Sequence, residues 1–312
     1  MFSGENSRIE QSGRQGKKAV RREGCGKCQV TGIHSGEVLI VDLFKTKAEK
    51  KLLSGGADLH LGTSGYSFPD WTNAFYPSRI ARKDWLRYYA LKFNSVEINS
   101  TWYRILSENS AGKMADSVPD NFSFSIKLHS SMTHSRSAGR EDWAAFHRML
   151  FPFVSSGKMG MVLAQFPWSF PLEEKSFSYL ASVRENLSAM KIAIEFRHRK
   201  WYTEESRNRV QKMGFVPVSV DLPTLPGLPR TSFLDSGIAV YLRLHGRNSG
   251  SWWGNTQQRY DYLYSAGEIG ALAGRLQRLS EDVKSCYVFF NNCHMGKAAL
   301  NAEDMARFLA VV

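Results

Sequence analysis

Eight short apolar runs, each ending in polar residues, recur between residues 59 and 292. They are LHLGTS (59–64), SVEINST (95–101), FSFSIKLH (122–129), MGMVLAQF (159–166), KIAIEFRH (191–198), FVPVSVDL (215–222), IAVYLRLH (238–245) and SCYVFFNN (285–292). Each has the length of a strand, and loops with amphipathic helical patterns lie between them. Strands alternating with helices imply a parallel sheet, and eight strands close it into a barrel. The spacing therefore predicts an α/β protein, a single (β/α)8 TIM-type barrel over residues 57–312. Ser265 with Glu268 makes a capping box. Asn301 is placed to cap the last helix, with Leu300 and Met305 as its hydrophobic staple.

Inside the runs, one parity is apolar and is expected to face the helices: Phe124, Ile126 and Leu128; Ile192, Ile194 and Phe196; Val218, Val220 and Leu222; Val240, Leu242 and Leu244. The other parity turns polar towards each strand's C-terminal end. It comprises Glu97, Asn99 and Thr101; Lys127 and His129; Gln165; Glu195 and Arg197; Ser219 and Asp221; Arg243 and His245; and Asn291. In a barrel this second set points to the axis. Burying so many polar groups in an ordinary core would cost kilocalories each. Gathered from seven strands at one end, they read instead as a site at the C-terminal mouth.

Residue chemistry assigns roles within that set. Glu97, Glu195 and Asp221 are the candidate general acids and bases, because nearby cations and like charges push carboxylate pKa values apart. Lys127, Arg197 and Arg243 are candidates to hold an anion, Arg as a bidentate fork and Lys as a point charge. Asn99, Tyr103, His129, Gln165, His245, Asn291 and Asn292 complete the expected substrate-binding set. The loop HGRN (245–248) follows strand seven, where barrels frequently bind phosphate. Tyr66, Phe68, Trp71, Trp102, Tyr103, Trp168, Trp201, Trp252, Trp253 and Tyr260 crowd the loops of the same face, as caps or as walls for a base or sugar. SWWGNTQQRYDY (251–262) reads as a lid. No cofactor is expected. A metal on the three carboxylates with His129, His134 or His245 is the alternative, opposed by the cations interleaved with the acids. Cys293, which follows Asn292, is a candidate nucleophile at the mouth.

The formal net charge is +12, about +5 in residues 1–56 and +7 in the remainder. That excess favours an anionic small molecule or nucleic acid as partner. No run approaches the roughly 18 apolar residues of a membrane span. The first residues lack the apolar core of a secretory signal, and four cysteines do not make a disulfide scaffold. A cytoplasmic protein is expected, with no membrane partner. Residues 1–56 read as a flexible basic extension: 1–37 without sustained period, an apolar run Val38 to Phe44, the basic stretch KTKAEKK (45–51) and a hinge SGG (54–56). Cys25 and Cys28 within it form a CxxC without a second pair.

The segments GTSGYSFPDW (62–71), FNSVEINSTWYR (93–104), FSFSIK (122–127), QFPWSF (165–170), AIEFRHRKW (193–201), SVDLP (219–223), YLRLHGRN (241–248) and YVFFNNCHMGKAALNA (287–302) resemble the YecE-like proteins, domain of unknown function 72. The resemblance spans 59–312 and implies a β/α barrel, but no reaction. The residues themselves point to an enzyme, a hydrolase, lyase or isomerase acting on a phosphate-bearing small molecule or a nucleic-acid-derived phosphate. A nucleic-acid-binding protein without turnover and a small-molecule sensor are the alternatives.

Overall fold

In a parallel sheet, residues paired across neighbouring strands share a face, so one inward side chain fixes the direction of its neighbours. The computed structural model describes residues 51–310, except 231, 232, 234–236, 251 and 255. Eight strands are present: β1 (Asp58–Thr63), β2 (Ser95–Ile98), β3 (Ser123–Lys127), β4 (Met159–Phe166), β5 (Ile192–Phe196), β6 (Phe215–Asp221), β7 (Ala239–Leu244) and β8 (Ser285–Phe290). They form one sheet in the order β1-β8-β7-β6-β5-β4-β3-β2, with every ladder parallel. The helices are α1 (Trp85–Ala90), α2 (Glu108–Asp116), α3 (Ser130–Thr133), α4 (Arg140–Ser155), α5 (Glu174–Asn186), α6 (Glu204–Lys212), α7 (Thr256–Arg259), α8 (Ala266–Leu276) and α9 (Lys297–Phe308). Among the described residues, the connection from β6 to β7 holds no helix.

Two apolar layers result. The outward parity, including Phe124, Ile126, Ile192, Ile194, Val240 and Leu242, packs with helix residues such as Phe146, Leu180, Ile269 and Met305. A second cluster, Met161, Leu163, Ala193, Val218, Val220, Tyr241, Tyr287 and Phe289, fills the barrel interior. It forms the base on which the polar mouth rests.

The barrel closes at β1 and β2 through side chains more than through backbone. A single parallel bridge joins Ser64 to Glu97. Below it, Asn94 Oδ1 accepts from Leu61 N (2.9 Å) and Nδ2 donates to Leu59 O (2.6 Å), so one amide replaces two missing ladder bonds. Tyr89 Oη accepts from Thr63 N (2.8 Å) and donates to Ser95 O (3.1 Å). Unpaired buried backbone groups are costly, which is why these side chains are needed. Gly62 permits the approach, since a Cβ there would lie 1.9 Å from Ser95 O.

Two expectations are corrected. On β6, Val220 pairs with Arg243 and Asp221 with Leu244. Val218 and Val220 therefore face the axis and Asp221 faces outward, the reverse of the expected parity. Asn301 lies inside α9, not at its cap. The left-handed Gly296 (φ 78°) turns the chain upstream, so the helix starts at Lys297. Asn301 is buried and bonds both backbone groups of Tyr264, while Leu300 is exposed. The capping box of Ser265 and Glu268 is present on α8.

Residues 51–56, expected as the end of the extension, turn back onto β1. Leu53 is buried, Leu59 N donates to Lys51 O (2.7 Å), and Leu52 bridges Asp58. The expectations for 1–37, Val38 to Phe44, Cys25, Cys28 and the basic stretch before Lys51 lie outside the described residues. Among the described residues, no helix is long and apolar enough to cross a membrane.

A charge-paired candidate active site at the barrel mouth

Glu97 on β2, Glu195 on β5 and Arg243 on β7 belong to the inward parity, and the barrel brings them to one point. All three are buried, Arg243 to 1% exposure. Arg243 Nη2 donates to Glu97 Oε1 (2.8 Å) and Nη1 to Glu195 Oε2 (2.6 Å), so one guanidinium bridges two carboxylates. Tyr241 Oη donates to Glu97 Oε2 (2.7 Å). Arg197 Nε lies 2.9 Å from Glu195 Oε1. Asn291 Nδ2 donates to His245 Nδ1 (2.8 Å). The neutral imidazole then carries its proton on Nε2, which lies 3.5 Å from Glu195 Oε1.

This pairing decides protonation. Burial works to raise the Glu97 carboxyl, but Arg243 outweighs it, helped by bonds from Ser64, Arg243 and Tyr241, and holds the group below the usual carboxylate range. Burial is likewise outweighed at Glu195, chiefly by Arg197 and then Arg243, and the group sits well below that range. Both glutamates are ionised at neutral pH and already bonded, so they make poor proton shuttles. His245 is lowered to about 3, by burial first and then by Arg197, and is neutral.

Lys127 differs from these groups. Its Nζ donates to the neutral amide of Gln165 (Oε1, 2.7 Å) and lies 5.6 Å over the Trp102 ring. Burial, then Arg243 and Arg197, lower its pKa to about 7, against the opposing pull of Glu195 and Glu97. A lysine in such surroundings exchanges a proton near neutrality.

Two connected lobes open above this floor. The larger, about 670 Å³, is lined by Asn99, Tyr103, Lys127, Arg197, Arg243 and Asn291, together with Tyr66, Phe68, Trp102 and Tyr260. The smaller, about 320 Å³, is lined by Lys127, Gln165 and Arg197 with Trp102, Tyr103, Trp168, Trp252 and Trp253. Asn99 Oδ1 is buried without a hydrogen-bond partner among the described residues.

Of the expected site residues, Glu97, Asn99, Tyr103, Lys127, Gln165, Glu195, Arg197, Arg243, His245 and Asn291 come together here. Asp221 does not: its carboxylate accepts from Arg247 Nε (2.9 Å), whose Nη1 donates to Glu268 (2.7 Å) on α8. The arginine of the HGRN loop is therefore tied to the outer helix layer instead of facing the mouth. Asn292, on the outward parity, donates to Tyr262 O (2.8 Å) and Asn301 Oδ1 (2.9 Å) and fixes loop to helix. His129 caps α3 through Ser131 and touches neither lobe. Of the aromatic residues, Trp71 and Trp201 are buried in the outer core. Cys293 lines the larger lobe, but burial pushes its thiol up, against nucleophilic use. Tyr241 and Ser64 were missed. Tyr241 sits two residues before Arg243 on the same face, a period-two signal that its apolar ring obscured. Among the described residues, no three His, Cys, Asp or Glu side chains are grouped to hold a metal.

Fold and site together define the class: a parallel eight-stranded β/α barrel with a buried ion-pair cluster under an open mouth. The family described as "Protein of unknown function DUF72" matches residues 60–311. The chain belongs to that family. Its similar relatives include UPF0759 protein YunF of Bacillus subtilis (strain 168), 27% identical over 273 residues, covering 81% of this chain and 95% of the relative. A crystal structure of a DUF72 family protein from Thermotoga maritima is similar with TM-score 0.75 and 37% identity, over 81% of this chain and 99% of that one. A DUF72 family protein from Enterococcus faecalis is similar with TM-score 0.73 and 27% identity, over 81% and 96%.

Proposed function

We propose that this barrel is an enzyme, a hydrolase, lyase or isomerase, acting on an anionic, phosphate-bearing small molecule, with Lys127 as its acid–base group. One observation carries the reading. The floor of the mouth sets three cations, Lys127, Arg197 and Arg243, against two carboxylates, Glu97 and Glu195, and among the described residues the lysine is bonded only to an amide. The surplus charge attracts an anion, and a base titrating near neutrality is the kind general acid–base catalysis requires. Glu97 and Glu195 then act as positioning residues that aim the guanidinium groups.

The test is calorimetric titration of inorganic phosphate, sulfate and ribose 5-phosphate into wild type and Lys127→Met. Sulfate, whose charge is constant over this range, is expected to bind the wild type more weakly as pH rises through about 7, because the lysine sheds its charge there. The variant is expected to lose roughly 10- to 150-fold, the scale of a charge-assisted hydrogen bond. Absence of anion binding at low salt on both sides of neutrality, or a variant as tight as wild type, refutes the reading. The net charge of +12 supports a second one, nucleic-acid binding without turnover. DNA or RNA affinity that drops steeply with salt, with no affinity for small phosphates, would favour it.

A further inference from the structure

The smaller lobe has a chemistry that an anion site does not need. Beyond the wall it shares with the larger lobe, it is lined by Trp168, Trp252, Trp253, Leu228, His134 and Arg259. Trp168 is braced from two sides. The His198 ring stands 4.7 Å away, tilted by 57°. Gly227, at φ +83°, lies so close that a Cβ would sit 3.3 Å from the indole Nε1. Despite this bracing the indole is 48% exposed, and Trp253 is 59% exposed. Large rings held in place but left uncovered beside a cavity forgo burial energy, and indoles offer flat faces on which another ring can stack. His134 adds no charge here, since burial, then Lys127, Arg197 and Arg136, lower it to about 4.

A polar feature narrows the ligand. The Arg259 guanidinium lies 5.4 Å over the Trp252 ring, and its buried Nε has no hydrogen-bond partner among the described residues. A donor beside stacking faces suits a ring carrying acceptor atoms better than it suits a hydrocarbon. Lys127 and Arg197 line both lobes, so a ring in the smaller one would sit next to an anion on the floor.

We infer that the smaller lobe is a ring-binding subsite and that the ligand class is a nucleoside phosphate, its base stacked at Trp168 and Trp253 and its phosphate at Lys127 and Arg197. The inference rests on the anion reading above and adds the ring. The nucleoside phosphate comes either as a free mononucleotide or as the end of a single strand, and the two are separated below.

The experiment uses the full chain and titrates ribose 5-phosphate, the four ribonucleoside 5′-monophosphates and a short single-stranded oligonucleotide, by calorimetry and tryptophan fluorescence. At least one monophosphate is expected to bind roughly 5- to 150-fold tighter than ribose 5-phosphate, the range for one stacked base, and to quench fluorescence. Trp168→Ala is expected to collapse the monophosphate affinities to that of ribose 5-phosphate, and Trp168→Phe to restore most of the difference. A urea melt of each variant guards against a folding defect. An oligonucleotide tighter than its monomer, and dependent on Trp168, identifies a strand end; equal affinities identify the free nucleotide. Equal binding of ribose 5-phosphate and every monophosphate, or loss of all ligands alike in a folded Trp168→Ala, overturns the ring subsite while the anion reading stands. Failure of ribose 5-phosphate and the monophosphates alike overturns both.

Discussion

Replacing Arg243 by methionine keeps the length of the side chain and removes the charge that bridges Glu97 and Glu195. The two carboxylates then differ in what they retain. Glu195 keeps Arg197 at 2.9 Å, whereas Glu97 is left with the hydroxyls of Tyr241 and Ser64 and, among the described residues, no cation bonded to it. Breaking a buried ion pair from one side leaves an uncompensated charge and costs about 3–5 kcal/mol, a large share of the roughly 5–15 kcal/mol that holds a domain folded. The sign of the pH dependence follows from the same contacts. In the wild type Glu97 titrates below its unfolded value, so its contribution is present above the usual carboxylate range near 4.5 and is lost as pH falls. In Arg243→Met, burial dominates and lifts Glu97 above its unfolded value. Its penalty is then absent in acid and grows as pH rises through and above that range. Both effects widen the gap between wild type and variant with rising pH. Urea unfolding at acid and at neutral pH measures the gap, with an unchanged m-value confirming that stability alone has moved. Adding Glu97→Gln to Arg243→Met removes the stranded charge and is expected to recover much of the loss. A deficit below about 1 kcal/mol at neutral pH, a gap independent of pH, or no recovery in the double variant would refute the ion-bridge account.

Two further outcomes test the fold around the site. Gly62→Ala places a Cβ where Ser95 O already lies, so the β1–β2 seam must spread, at roughly 1–3 kcal/mol for overpacking. The thermal midpoint should drop by several degrees, and an unchanged midpoint would deny the tight seam. Asp221→Asn weakens the carboxylate's hold on Arg247 and should cost roughly 1–3 kcal/mol in stability with phosphate affinity unchanged. Selective loss of phosphate affinity would return Asp221 to the cavity.

Period-two alternation is a local property, and it made most of the barrel legible. Seven of the eight strands fall within the apolar runs of the sequence, and β1 begins one residue before its run, at Asp58. Where charged and apolar residues alternate, as in AIEFRH and YLRLH, the inward set was readable residue by residue: Glu195, Arg197, Arg243 and His245. The convergence of nine expected residues on one mouth follows from that alternation and from barrel closure, while Tyr103 reaches it from the loop after β2. The strand FVPVSVDL shows the limit. A barrel strand is buried on both faces, so polarity does not say which face a residue takes when Ser219 and Asp221 alternate with valines. The register of Val220 opposite Arg243 decided it, and an outward Asp221 is tolerated because Arg247 and Glu268 reach over to meet it. The pairings were likewise beyond sequence reading. Arg243 bridges residues 146 and 48 positions away, and its pairing with Glu97 and Glu195 holds both carboxylates ionised, while burial with Arg243 and Arg197 close by brings Lys127 near neutrality. Local pattern determines which residues face inward, because that depends only on backbone period. Which of them pair, and what charge each then carries, depends on distances and burial that only the closed barrel creates.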